Sequence, residues 1–82
     1  MITVAELRKN HFTPTGDSVT YSRKVHADIF LEYDTQDGFI TIIRFLGQTK
    51  HNIDRVKIIF PHKIDTTKKL KKVLDLFTGV SL

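Results

Sequence analysis

The sequence predicts one small α+β domain, and three observations predict it. Period-two alternation of apolar and polar residues fills the middle of the chain. A capping signature opens the N-terminal end, and an apolar stripe at i, i+3, i+4 and i+7 marks the C-terminal end. The chain has 82 residues, 40% of them hydrophobic and 27% charged, which is the size and balance of a single globular unit spanning 1–82. The expected order is a short helix, a four-stranded, mostly antiparallel sheet, and an amphipathic helix packed on that sheet.

Thr3 and Glu6 stand three apart, the spacing at which each side chain satisfies a backbone N–H at a helix start. The helix they open is read over 3–12, with Val4 and Leu7 on one face, His11 able to extend it, and Asn10 as a stop. Thr13-Pro14-Thr15-Gly16-Asp17 then imposes an irregular connection, because proline disfavours a helical residue before it and glycine permits a turn. In 18–25, Val19 and Tyr21 alternate with Ser18, Thr20 and Ser22, the pattern of a half-buried strand. In 27–33, Ala27, Ile29, Leu31 and Tyr33 face the core, and Asp28, Phe30 and Glu32 face away.

Asp37-Gly38 between two apolar runs is a hairpin signal. The run that follows, 39–46, is apolar on both faces and is therefore expected at the centre of the sheet. Residues 47–52 read as a loop and 53–60 as a strand, with Val56, Ile58 and Phe60 inward and Arg55 and Lys57 outward. Pro61 ends that strand, since proline cannot donate to a ladder. Asp65 is the expected N-cap of the last helix, Leu70, Val73, Leu74 and Phe77 its apolar stripe, and Gly79 its C-terminal stop.

There is no cysteine, which excludes disulfides and cysteine-based zinc sites and fits a reducing, cytoplasmic compartment. The first residues lack the basic-then-apolar order of a signal peptide, and the chain reads as starting at its native start. No apolar run approaches the roughly 18 residues of a membrane span, so neither a membrane partner nor membrane insertion is expected.

Catalytic constellations do not assemble in the sequence. The four histidines, His11, His26, His51 and His62, are scattered, and none belongs to a nucleophile or acid–base motif. Asp34 and Asp37 are explained as turn formers. Calcium-loop, Walker-type and dinucleotide-binding glycine motifs are all missing, so no cofactor or metal is expected and the enzyme reading is poor.

Charge is the remaining signal. The net charge is +4, but residues 1–41 hold four Lys/Arg against six Asp/Glu, and residues 42–82 hold nine against three. Lys68, Lys69, Lys71 and Lys72 crowd the first turns of the last helix, where cations oppose the helix dipole. A sequence selected only for helix stability would reverse that polarity. The four lysines therefore form the centre of an expected anion-binding surface, which Arg55, Lys57 and Lys63 would extend if the strand order allows. A solvated lysine face opposite an apolar stripe explains the same residues without a ligand.

The resulting expectation is a non-catalytic binding module whose partner is nucleic acid or an acidic protein surface, with a small adaptor or inhibitor as the alternative. Size, style and lack of motif are those of accessory proteins of bacteriophages and mobile elements, a likeness of composition only. Phe30 and Phe39 are the aromatics expected off the core, and no signature for sequence-specific base reading is present.

Overall fold

Thr3 and Glu6 form the expected capping box in the computed structural model, which describes residues 2–48 and 53–78. The Thr3 hydroxyl accepts the Glu6 N–H at 3.2 Å, and helix α1 runs over Val4–Lys9. It ends at Asn10 because His11 adopts a left-handed φ of 67°. The Phe12 N–H then reaches back to the Leu7 carbonyl at 2.9 Å and the His11 N–H to that of Arg8 at 3.0 Å, the two bonds of a Schellman stop. Leu7 and Phe12, the two apolar residues of that motif, are both fully buried. His11 is thus an exposed cap residue and does not extend the Val4–Leu7 face.

The sheet has five strands in sequential order, all neighbours antiparallel: β1 (Thr13–Pro14), β2 (Thr20–His26), β3 (Ile29–Asp34), β4 (Ile40–Gln48) and β5 (Ile53–Ile59). The strand absent from the sequence reading is β1. It is two residues long and contains Pro14, which is tolerated because it lies at the sheet's edge. Asp17 holds the turn before β2 by accepting the N–H groups of Val19 and Thr20 at 3.0 and 2.7 Å. Ala27 sits in the tight β2–β3 turn and is exposed, instead of starting the strand on the core side. At the β3–β4 turn, Gly38 takes a φ of +77° and donates to the Asp34 carbonyl at 2.8 Å, so the Asp-Gly signal is fulfilled.

Helix α2 (Thr67–Thr78) carries its stripe as expected: Leu70, Val73 and Leu74 are buried and Phe77 is partly so. Its cap differs. The Thr66 hydroxyl accepts the Lys69 N–H at 3.2 Å, while the Asp65 carboxylate takes the Lys69 ammonium at 2.9 Å. The hydroxyl one residue later reaches the backbone donor, which frees the longer-range charge of Asp65 for the ion pair. The Thr67 hydroxyl donates to Glu6, so the first turns of the two helices are joined. The expected stop at Gly79 lies outside the described residues, as do Lys50 and His51.

Residues paired directly across antiparallel strands share a face. The register therefore puts Tyr21, Leu31, Tyr33 and Ile40 on one face, where they form the core with Leu7, Ile64, Leu70 and Leu74. Both helices lie on this inner face, α2 chiefly over β2. Two bonds fix Ile64, between β5 and α2: its N–H donates to the Gly38 carbonyl at 2.7 Å, and the buried Tyr33 hydroxyl donates to its carbonyl at 2.8 Å.

Cover by the helices stops short of β5. Val56 and Ile58 point to the inner face as expected, yet they are 41% and 58% exposed. β4 is next to the edge strand and not central, and among the described residues helices lie on one of its faces only; on the other face Phe45 is partly exposed while Ile43 is buried. No helix among the described residues is long and apolar enough to cross a membrane.

Leu74→Ala should cost about 2–5 kcal/mol, the usual range for a buried leucine, as read by chemical denaturation. Tyr33→Phe should cost about 1–3 kcal/mol by leaving the Ile64 carbonyl without its donor. Burial, and then the carboxylates of Asp65, Asp37 and Asp34, raise the Tyr33 hydroxyl above its ordinary 10.0. Its stabilising effect is complete below the unfolded value and is lost as pH rises through the folded one. The Phe variant should lack this alkaline loss in a pH series of denaturation curves.

Candidate nucleic-acid interface and the helix cleft

The outer sheet face is built by alternation. A cross-strand row runs Lys24, Phe30, Ile43, Lys57 over β2 to β5, and the pair Phe45 and Arg55 lies beside it. The Phe30 and Phe45 rings meet edge-to-face, centroids 5.4 Å apart, the geometry their quadrupoles favour. The Lys24 ammonium sits over the Phe30 ring, 5.8 Å from its centroid. Ile43 is only 4% exposed although no described helix covers it, so its neighbours on the sheet shield it. Phe30 and Phe45 remain partly exposed, and Lys24, Arg55 and Lys57 are exposed. The next row, Ser22, Glu32, Thr41 and Ile59, adds two hydroxyls and a carboxylate.

The seven cations expected to make one surface are divided by the sheet. Arg55 and Lys57 belong to the outer face, whereas Lys68, Lys69, Lys71 and Lys72 ride on α2 over the inner one. Lys63, Lys69 and Lys72 come together with His62 around a cleft of about 310 Å³ between α2 and the segment that leaves β5. Its floor is apolar, made by Phe60, Ile64 and Val73, and Leu76 forms a wall. Lys71 instead faces α1 near Glu6 and Lys9. Lys69 forms a favourable i, i+4 ion pair with Asp65 at 2.9 Å.

Chain-wide comparison adds no relative: no family model, curated protein or solved structure matches this sequence. Among the described residues, no three His, Asp or Glu side chains gather in a way that could hold a metal ion. No buried side-chain nitrogen or oxygen among them lacks a hydrogen-bond partner.

Phe30 was legible as an outward aromatic, and Phe45 was not. Its signal lay in the two-sided apolar run 39–46, where Ile43 and Phe45 alternate against Ile40 and Ile42. Two apolar faces predict a central strand, whereas β4 lies next to the edge and one of its faces has no helix over it among the described residues. Phe39, the other aromatic expected off the core, lies in the turn before β4 and lines a shallow hollow with Asp34, Asp37, Thr41 and Ile59. It does not join the aromatic pair.

The Lys69 hydrogen bond and charge hold the Asp65 carboxyl below its ordinary 3.8. A lowered carboxyl stabilises the fold above its unfolded value, and that contribution fades as pH falls through the folded one. In an NMR titration, Asp65 should therefore titrate below 3.8, and Lys69→Gln should return it toward that value.

Proposed function

We propose that this chain is a non-catalytic module that binds single-stranded nucleic acid on the outer face of its sheet. The observation that carries this reading is the partly exposed Phe30–Phe45 pair set among Lys24, Arg55 and Lys57. Single strands are held by stacking of bases on aromatic rings and by cations that track the phosphates. Lys24 and Lys57 stand at opposite ends of one cross-strand row, about 14 Å apart over three strand spacings, with the rings between them. A flat face with exposed rings suits unstacked bases. It offers no helix to enter a major groove, and duplex reading by that route is not supported.

The four α2 lysines add positive potential but lie on the other side of the sheet from the rings. Their role in this reading is long-range attraction, which salt screens within about 8–10 Å.

The test is fluorescence anisotropy with labelled homopolymeric DNA and RNA strands over a salt series. With three phosphates neutralised on a single strand, log K against log salt should fall with a slope of about −2. Phe45→Ala should weaken binding by about 1–3 kcal/mol, the value of one stacked base. Changing Lys24, Arg55 and Lys57 together to Gln should remove most of the salt dependence without loss of folding, since all three are exposed. Binding that survives these changes and vanishes when Lys68, Lys69, Lys71 and Lys72 become Gln would move the interface to α2. No binding at low salt would end the nucleic-acid reading.

A further inference from the structure

The α2 cleft is a second surface whose chemistry differs from that of the outer face. Its floor is aliphatic and aromatic, and Leu76 on its wall is 73% exposed, the highest exposure among the described large apolar side chains. Helix packing does not explain that leucine, because the core stripe of α2 is Leu70, Val73 and Leu74. Lys69, Lys72, Val73 and Leu76 fall at i, i+3, i+4 and i+7, so one helix edge presents two ammonium groups beside two apolar side chains.

Charge on the rim is mostly positive. Among the described residues that line the cleft there is no carboxylate, and Asp65 touches it only through Lys69. Lys69 is satisfied by Asp65, while Lys63 and Lys72 have no ion-pair partner among the described residues. The stem of Lys63 packs over Gly38: a Cβ added there would lie 3.1 Å from its Cε. That contact positions the stem beside the cleft and reduces the freedom lost when its ammonium finds a partner.

We infer that this cleft binds a short acidic segment of a partner protein, with one apolar side chain seated on Phe60 and Val73 and flanking carboxylates on Lys63 and Lys72. The cavity stands at the small end of the range for ligand sites, roughly 300–1,000 Å³, and suits an anchoring side chain better than a whole cofactor. A second copy of this chain is a poor occupant. Two clefts packed face to face would join their Leu76 side chains but also bring Lys63 and Lys72 of both copies together, so self-association there would oppose like charges. The site shares no residue with the outer face and stands or falls separately from the nucleic-acid reading.

The probe is a dye-labelled synthetic peptide with a central leucine flanked by glutamates, compared with a glutamate-to-glutamine twin and a leucine-to-alanine twin. Anisotropy should show salt-sensitive binding of the acidic peptide and roughly tenfold weaker binding of each twin. Leu76→Asp and the double change Lys63→Glu/Lys72→Glu should each weaken the acidic peptide about tenfold or more. All three residues are exposed, and thermal denaturation should report unchanged folding. The triple Gln variant of Lys24, Arg55 and Lys57 should bind the peptide as the parent does, which keeps the two surfaces distinguishable. Equal binding of the glutamine twin, or no binding of the acidic peptide, would overturn the inference. So would a concentration-dependent dimer in sedimentation that Leu76→Asp abolishes, since a second copy would then occupy the cleft.

Discussion

The connection between β5 and α2 is held to the sheet at Ile64 by two hydrogen bonds, one to each of its backbone polar groups. The Gly38 carbonyl takes its N–H, and the Tyr33 hydroxyl supplies its carbonyl. Ile64 is itself 2% exposed and Tyr33 fully buried, so a lost partner here would leave a polar group without water. Everything on the inner face follows from this anchor. The hairpin must place Gly38 where Ile64 can reach it, and the positive φ of Gly38 makes that turn cheap only for glycine. Because α2 starts three residues after the anchor, its stripe comes down chiefly over β2, and β5 is left without helix cover among the described residues.

That placement creates both candidate surfaces. With both helices committed to the inner face, among the described residues the outer face has only its own side chains to shield Ile43. Ring-on-ring contact between Phe30 and Phe45 meets part of that need while leaving the rings partly open. On the inner side, the gap between α2 and the exit of β5 is the cleft. The edge strand also needs protection, since an exposed strand edge invites pairing with another chain. Arg55 and Lys57, exposed and alternating with Val56 and Ile58, supply charge at that edge.

Local signals carried most of the fold. The Thr3–Glu6 box, the Asp37-Gly38 turn and the 70–77 stripe are short-range patterns, and each formed where its chemistry requires. What failed were inferences about what lies opposite an element. The two-sided run 39–46 was compatible with burial on both faces, and only the shared location of the helices shows that one face is open. Val56 and Ile58 likewise have the right orientation but no helix above them. β1 escaped notice because two residues carry no period. The division of the cations was beyond sequence reasoning for the same reason. Arg55 and Lys57 are only a few residues from Lys63, but a strand's alternation sends them to the far side of the sheet.

The polarity of α2 gives the lysines their meaning. Its first turn has no acidic residue and its last turn no basic one, the reverse of what the helix dipole favours. Asp65, just before the helix, offsets part of this through Lys69. Solubility alone would be served equally well by lysines near the C-terminal end, where they would stabilise the helix. The structure puts Lys69 and Lys72 on the edge that borders the cleft, and it puts Lys63 across from them on a different element. Cations drawn from two elements to one apolar hollow are a more specific arrangement than a solvated lysine face. Lys68 and Lys71, which border no such hollow with them, are the two that the bland explanation covers best.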